Sequence, residues 1–406
     1  MPVETRPADR RPLSDAQAIS AAFAGLVAMA AAIGVGRFVY TPILPRMLEA
    51  LGLSRSAAGL IASANFLGYL VGALLAALPG LRGSRRRWLL GALAVSAIST
   101  AGMGLTHDLP SFLVLRFVGG GASAFVLIFA STLVLAYLAE AGRSALSSLH
   151  FAGVGIGVAA SAVLVAAMLD EGRTWESLWV ASGALSLAGG IAVAALLPGR
   201  IAPARSTGVR NDGGTGGDSS LRLWVMAYGL FGFGYIITAT FLVAIVRSSP
   251  AIRSLEPMIW IAFGLAAAPS VVLWNAVASR RGVPATFAIA AVVEAVGVLA
   301  SVAWPSAAGV FMAAILVGGT FMGLTALGLV QARALATGDP GRALALMTVA
   351  FGLGQIIGPV FAGSVSDRMG SFTAPSIVAG TALLLAAVLA RKADHARRPG
   401  GAEEEI

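Results

Sequence analysis

Charge is what this 406-residue chain has least of: Asp, Glu, Lys and Arg together make up 12%. A soluble domain carries about 25%. The chain therefore cannot cover itself with a water-facing surface, and a string of soluble domains is excluded. Cysteine is absent, which removes disulfides, thiolate nucleophiles and cysteine metal sites in any compartment. The 3 histidines stand at 107, 150 and 395, too dispersed for a metal-ligand cluster, so neither a metal nor a cofactor is expected. No nucleophile–base–acid set can be assembled, and an enzyme is not expected. Glycine is abundant, but Gly119-Gly120-Gly121 and Gly153-x-Gly155-x-Gly157 follow no strand and precede no Lys-Ser/Thr, so they are not phosphate loops.

Apolar residues dominate at 57% and fall into long runs. After a polar stretch, residues 1–16, the first run spans Gln17 to Met47; it is too long for a signal-peptide core. Further runs cover 56–78, 88–106, 110–138, 146–169 and 174–197, then 221–246, 257–278, 284–304, 306–334, 345–366 and 371–390. Lipid admits only helices and closed barrels, and the alternating strands of a barrel are missing. The expected fold is all-α and membrane-embedded, with twelve transmembrane helices in two six-helix repeats. The expected boundaries are a tail at 1–16, a bundle at 17–197, a linker at 198–220, a bundle at 221–390 and a tail at 391–406. The linker, Pro198 to Ser220 with Gly213-Gly214-Thr215-Gly216-Gly217, reads as flexible.

The halves repeat. At an offset of 198, Gly34, Gly36 and Leu44 match Gly232, Gly234 and Leu242; at 199, Phe112 and Val118-Gly119-Gly120 match Phe311 and Val317-Gly318-Gly319; at 201, Gly153 and Gly157 match Gly354 and Gly358. The net charge of +9 would suit a nucleic-acid binder, but the cations are scattered through short loops and tails. Both termini and loops 2–3, 4–5, 6–7, 8–9 and 10–11 hold 20 Lys/Arg; the opposite side holds 6, and Arg37 and Arg116 lie within spans. The positive-inside rule places both termini in the cytoplasm, in the cell's inner (plasma) membrane, with no nucleic-acid partner.

Twelve helices in two parallel repeats resemble the major facilitator superfamily. Arg116-Phe117-Val118-Gly119-Gly120-Gly121-Ala122-Ser123-Ala124 in the fourth span is similar to its arginine–glycine motif. Gly34-Val35-Gly36-Arg37-Phe38-Val39-Tyr40-Thr41-Pro42-Ile43-Leu44-Pro45, with Gly232-Phe233-Gly234-Tyr235 through Leu242, resembles the YbfB/YjiJ-like subgroup. The chain departs from the superfamily in loop 2–3, where Gly80-Leu81-Arg82-Gly83-Ser84-Arg85-Arg86-Arg87 keeps the basic cluster but lacks its aspartate. Conversely, Asp367-Arg368-Met369-Gly370 mimics that signature in a loop on the opposite side, where it is discounted. In the fifth span Val158 stands where the antiporter motif has proline; Gly358-Pro359 occurs in the eleventh instead.

An ionised side chain deep in lipid marks a functional site by default. Arg37 and Arg116 are such residues, at depths of about 15 and 9 Å by helical rise, and the resemblance puts their helices on the central cavity. On a continuous helix Tyr40 and Thr41 share the face of Arg37, and Ser123 that of Arg116. The repeat places Tyr235 where Arg37 stands, and Thr238 and Gln355 add uncharged hydrogen bonds. Arg37, Tyr40, Thr41, Arg116, Ser123, Tyr235, Thr238 and Gln355 are the candidate substrate-binding residues; Asn65 and Tyr69 are further candidates to line the pocket. The competing reading is that the arginines pin helices through backbone carbonyls, and for Arg116 the resemblance also implies a role in the transport cycle.

Glu294 is the single acid well inside a span, so no acid offsets the arginines, and an anion with an apolar body fits better than a cation. His150 and Glu294 are the candidates for proton coupling; His150 is equally readable as a neutral hydrogen-bonded group, and for Glu294, on the ninth helix that the resemblance makes peripheral, the neutral structural reading is preferred. Gly119, Gly120, Gly153, Gly157, Gly358 and Pro359 are assigned to helix packing and gating. The expected function is secondary active transport of a small organic anion by alternating access, proton-coupled, by a monomer in the lipid bilayer. The alternatives are efflux of lipophilic drugs and a transport-inactive sensor or scaffold.

Overall fold

A computed structural model describes residues 15–78, 81–197, 218–336 and 339–396. The tail at 1–14, residues 198–217 of the linker and the last ten residues lie outside the described residues. The spans are α1 (Asp15–Leu51, broken), α2 (Arg55–Ala76), α3 (Arg85–Leu105), α4 (Leu109–Glu140), α5 (Ser144–Asp170) and α6 (Trp175–Leu196). After the linker come α7 (Asp218–Arg247), α8 (Arg253–Ala267 and Ser270–Arg281, bent by 44°), α9 (Val283–Ala303), α10 (Ala307–Leu335), α11 (Pro340–Met369) and α12 (Thr373–His395). Helix α7 begins at Asp218, within the segment expected as linker. Likewise α12 runs on to His395, into the expected tail.

Two spans are not straight. In α1 the regular helix ends at Met29, widens into a π turn over Ala30–Val35 and restarts at Tyr40. Pro42 and Pro45 follow at once; neither has an N–H to give back to the preceding turn. Gly34 lies against Gly157 of α5 and Gly36 against Ser96 of α3, where an added methyl would come under 3 Å. In α8 the break falls at Ala268-Pro269, between Ala267 and Ser270.

Packing follows from lipid being as apolar as leucine: helices adhere by close approach, which small residues permit. A methyl added at Gly157 would lie under 3 Å from Ala30 of α1, one at Gly153 from Leu26, and one at Gly120 from Asn65 of α2. Close approaches also join the halves. Gly59 of α2 meets Pro359 of α11, Gly363 of α11 meets Arg55, and Gly155 of α5 meets Ala268 of α8. Gly358 packs against Ile236 of α7, and Gly119 against Ser99 of α3.

Candidate functional site

The break in α1 positions the site. Arg116 of α4 reaches across and donates from Nη1 to Gly36 O (3.2 Å) and from Nη2 to Arg37 O (3.0 Å). Its guanidinium carbon lies 5.0 Å from the Tyr40 ring centre, and its own carbonyl accepts from Asn65 Nδ2 at 2.9 Å. Carbonyls at a broken turn in a low-dielectric interior need donors, and Arg116 supplies two from one planar fork. It is a positioning group for the backbone that carries Arg37.

Arg37 is 7% exposed. Its guanidinium carbon lies 4.5 Å from the Phe66 ring centre and 4.4 Å from that of Tyr69, an aromatic sandwich worth on the order of 1–2 kcal/mol per ring when desolvated. Nη2 donates to Gln355 Oε1 of α11 at 3.4 Å, and Gln355 Nε2 donates to Tyr235 Oη of α7. Arg37 Nε is buried with no acceptor, and among the described residues no carboxylate pairs with Arg37. A buried, unmet cationic donor is costly; Arg116 Nε is likewise without an acceptor.

Facing it is a ladder of rings. Tyr228 and Phe351 stack at 4.9 Å, Phe351 and Tyr235 at 5.8 Å, Tyr235 and Phe321 at 5.7 Å, and Phe321 and Phe263 at 5.5 Å. Tyr69 and Phe351 keep part of their surface free. The arrangement sets one guanidinium fork beside two partly exposed rings, Tyr69 and Phe351; the remaining rings of the ladder are buried behind them.

The sequence-derived candidates separate. Arg37, Tyr235 and Gln355 come together, with Tyr69. Tyr40 and Thr41 do not turn their hydroxyls to Arg37, because the helical i+3 and i+4 relation fails across the break. Tyr40 donates to Ala58 O (2.8 Å) and Thr41 to Ala239 O (2.8 Å). Ser123 donates to Gly120 O within its own helix. The Thr238 hydroxyl is buried without a partner. His150 sits between α1, α4 and α5, its Nε2 3.0 Å from Ser131 Oγ and its ring against Gly25. Both Glu294 oxygens are buried without partners, and the neighbouring Thr320 hydroxyl is committed to Leu316 O at 2.6 Å.

Contacts at the end of the bundle opposite the termini were not foreseen. Arg247 at the close of α7 donates to Glu49 of α1 (Nε–Oε1 2.6 Å) and to Glu256 of α8 (Nη1, 3.0 Å). Asp367 accepts from the backbone N–H of Arg55 (3.0 Å) and Ser56 (2.8 Å) and from Ser56 Oγ. Arg55 Nη1 donates to Ser366 O, and Ser63 Oγ to Ile356 O. Apart from Arg247–Glu256, which lies within the second half, these bonds join the two halves between the level of Arg37 and the end opposite the termini. Asp367 stands in the signature-like segment that the sequence reading discounted; its role there is a helix N-cap across the halves. Charged residues at four helix ends were the available signal, but pairing between spans cannot be read from spacing within a span.

A family described as the uncharacterised MFS-type transporter YbfB matches residues 29–391. A gallate transporter of Pseudomonas putida is 30% identical over 146 residues, 36% of this chain and 32% of the relative. The 4-hydroxybenzoate transporter PcaK of the same organism is 30% identical over 171 residues, 42% of this chain and 37% of the relative. The matched segments thus cover only about a third of the length of these curated relatives. Among solved structures, the nucleoside transporter NupG superposes with a TM-score of 0.66 at 15% identity, over 92% of this chain and 98% of that one. A substituted form of NupG gives 0.69 over the same shares and identity; these two likenesses speak to the fold alone. Eleven spans among the described residues, or twelve with the bent α8 counted as one, agree with a family match over residues 29–391: the protein belongs to the YbfB-type transporters of the major facilitator superfamily.

Proposed function

We propose that this transporter carries an organic monoanion with an aromatic body, of the benzoate type, by alternating access. The observation that carries the reading is Arg37: a buried guanidinium held between Phe66 and Tyr69, with no carboxylate partner among the described residues and an Nε without an acceptor. A carboxylate meets a guanidinium fork with two charge-assisted bonds, and the partly exposed rings of Tyr69 and Phe351 offer stacking to the rest of the substrate, backed by the buried rings of Tyr235 and Phe321. Gallate and 4-hydroxybenzoate, the substrates after which the two relatives are named, belong to that class.

The arginine asymmetry supports both termini being cytoplasmic in the plasma membrane. On that orientation the Glu49–Arg247 and Asp367–Ser56 contacts close the outer side, and this is an outward-closed state. We assign proton coupling to Glu294 in preference to His150. Glu294 is a buried acid with the Thr320 hydroxyl beside it and neither oxygen in a well-formed hydrogen bond, and its charge is felt at Tyr235; the His150 ring shares a hydrogen bond with Ser131 through Nε2 and leaves Nδ1 without a partner.

The test is uptake of labelled 4-hydroxybenzoate and gallate into proteoliposomes, with and without a pH gradient. Accumulation driven by the gradient in the wild type, reduced to equilibration in Glu294→Gln and retained in His150→Gln, is expected. Uptake of neither acid would contradict the substrate class; gradient-driven accumulation in Glu294→Gln would contradict its role.

A further inference from the structure

The bond between Arg37 and Gln355 is the weak link in an otherwise tight site. At 3.4 Å it is at the long limit for a hydrogen bond, although Gln355 is only 1% exposed and its amide nitrogen is anchored on the Tyr235 hydroxyl. That anchor fixes which end of the amide faces the arginine. The carbonyl end is presented to Nη2, and Arg37 Nε is left without an acceptor. An amide oxygen has the shape and acceptor character of one carboxylate oxygen but lacks its charge and its second oxygen. Arg37 therefore holds a neutral and incomplete stand-in for an anion.

We propose that Gln355 occupies, in the ligand-free protein, the place of the substrate carboxylate, and that its neutrality sets the selectivity of the site for monoanions. The inference rests on Arg37 being the carboxylate receptor, as argued above. An incoming carboxylate replaces one stretched amide contact with two charge-assisted bonds and gives the orphaned Nε an acceptor, so the exchange is downhill. The geometry adds a consequence for the transport cycle. Arg37 belongs to the first six-helix half, and Gln355 and Tyr235 to the second. The bond that yields is one that joins the halves, so binding loosens a direct tie and replaces it with one made through the ligand. The Thr41–Ala239 and Ser63–Ile356 bonds nearby use backbone carbonyls as acceptors, which an anion does not displace. Gln355 is the cross-half acceptor built to be exchanged.

The test is binding of labelled 4-hydroxybenzoate to the purified full chain and to Gln355→Glu, Gln355→Leu and Arg37→Gln. Gln355→Glu adds a resident carboxylate opposite Arg37, and affinity is expected to fall at least about tenfold, the loss of a charge-assisted bond. Gln355→Leu removes the competitor, and affinity is expected to rise by about threefold, the modest value of a long hydrogen bond. A residue that merely contacts the substrate would give the opposite sign with leucine. Wild-type affinity in Gln355→Glu, or unchanged or weakened binding in Gln355→Leu, overturns the placeholder role while leaving Arg37 as receptor. If Gln355→Glu does not fold, the leucine variant decides alone. Absence of binding by the wild type, or equal binding by Arg37→Gln, overturns the reading of the site beneath it.

Discussion

Glu49 and Arg247 stand 198 residues apart, the spacing of the internal repeat, and they bind each other, Nε to Oε1 at 2.6 Å. Thr41 and Ala239 share that separation and are also bonded, Oγ1 to the carbonyl oxygen at 2.8 Å. Equivalent positions of two copies can touch only where the copies face each other across the axis that relates them. That axis therefore passes between the outer parts of α1 and α7, at the sealed end. Substituting the two ends of the ion pair should not be equivalent. Arg247→Gln strands Glu256, which is 8% exposed, at a cost of about 3 kcal/mol for a buried pair losing one partner. Glu49→Gln removes a group whose side chain is 52% exposed and should cost under about 1 kcal/mol. Thermal unfolding in detergent checks the ranking.

The seal at Asp367 can be tested chemically because the natural chain contains no cysteine. A Ser56→Cys/Asp367→Cys double variant carries the sole thiols in the molecule, at positions whose side chains now touch. Oxidation should join α2 to α11 and stop transport, and a reductant should restore it. Continued transport by a fully cross-linked protein would show that this end does not need to open.

Two glycines separate folding from gating. Gly157 meets Ala30 inside the first half, whereas Gly59 meets Pro359 across the halves. Gly157→Val should lower the unfolding temperature by an amount corresponding to about 2 kcal/mol, as expected for overpacking. Gly59→Val should leave stability within about 1 kcal/mol but prevent the sealed end from closing. Accessibility of an introduced cysteine just beneath the seal reports the difference.

Much of this was legible in the sequence because charge in lipid stands out. Arg37 and Arg116 stand out as charges within spans, and Tyr235, at the position the repeat makes equivalent to Arg37, is linked to it through Gln355. The break in α1 was not legible: Gly34 and Gly36 read equally well as packing residues, and only the donors arriving from Arg116 show that the carbonyls of Gly36 and Arg37 are given up. Tyr40 and Thr41 were misdirected for that same reason. The aromatic ladder was hidden because phenylalanine is ordinary in a membrane span, and stacking between Phe351 and Tyr235 depends on helices far apart in the chain. Asp367 was visible but, at the end of the bundle opposite the termini, had no evident partner until the N-terminus of α2 was placed beside it.

Arg116 offers a prediction that distinguishes positioning from binding. Arg116→Gln leaves the carbonyls of Gly36 and Arg37 without their donors, at about 3 kcal/mol for two bonds to a charged group. The Arg37 backbone should then wander, raising KM for 4-hydroxybenzoate about tenfold or more while Arg37 itself remains. Arg116→Lys, which keeps the charge but cannot bridge two carbonyls as a fork, should recover only part of that loss. Full recovery by lysine would mean that charge alone matters.

The most direct test of the central claim is equilibrium binding of labelled 4-hydroxybenzoate to the wild type, Arg37→Lys and Arg37→Gln at one pH and ionic strength. The account predicts saturable binding by the wild type, binding weakened about tenfold in Arg37→Lys through loss of the fork and its stacking, and none in Arg37→Gln. Binding of equal strength in all three would contradict it.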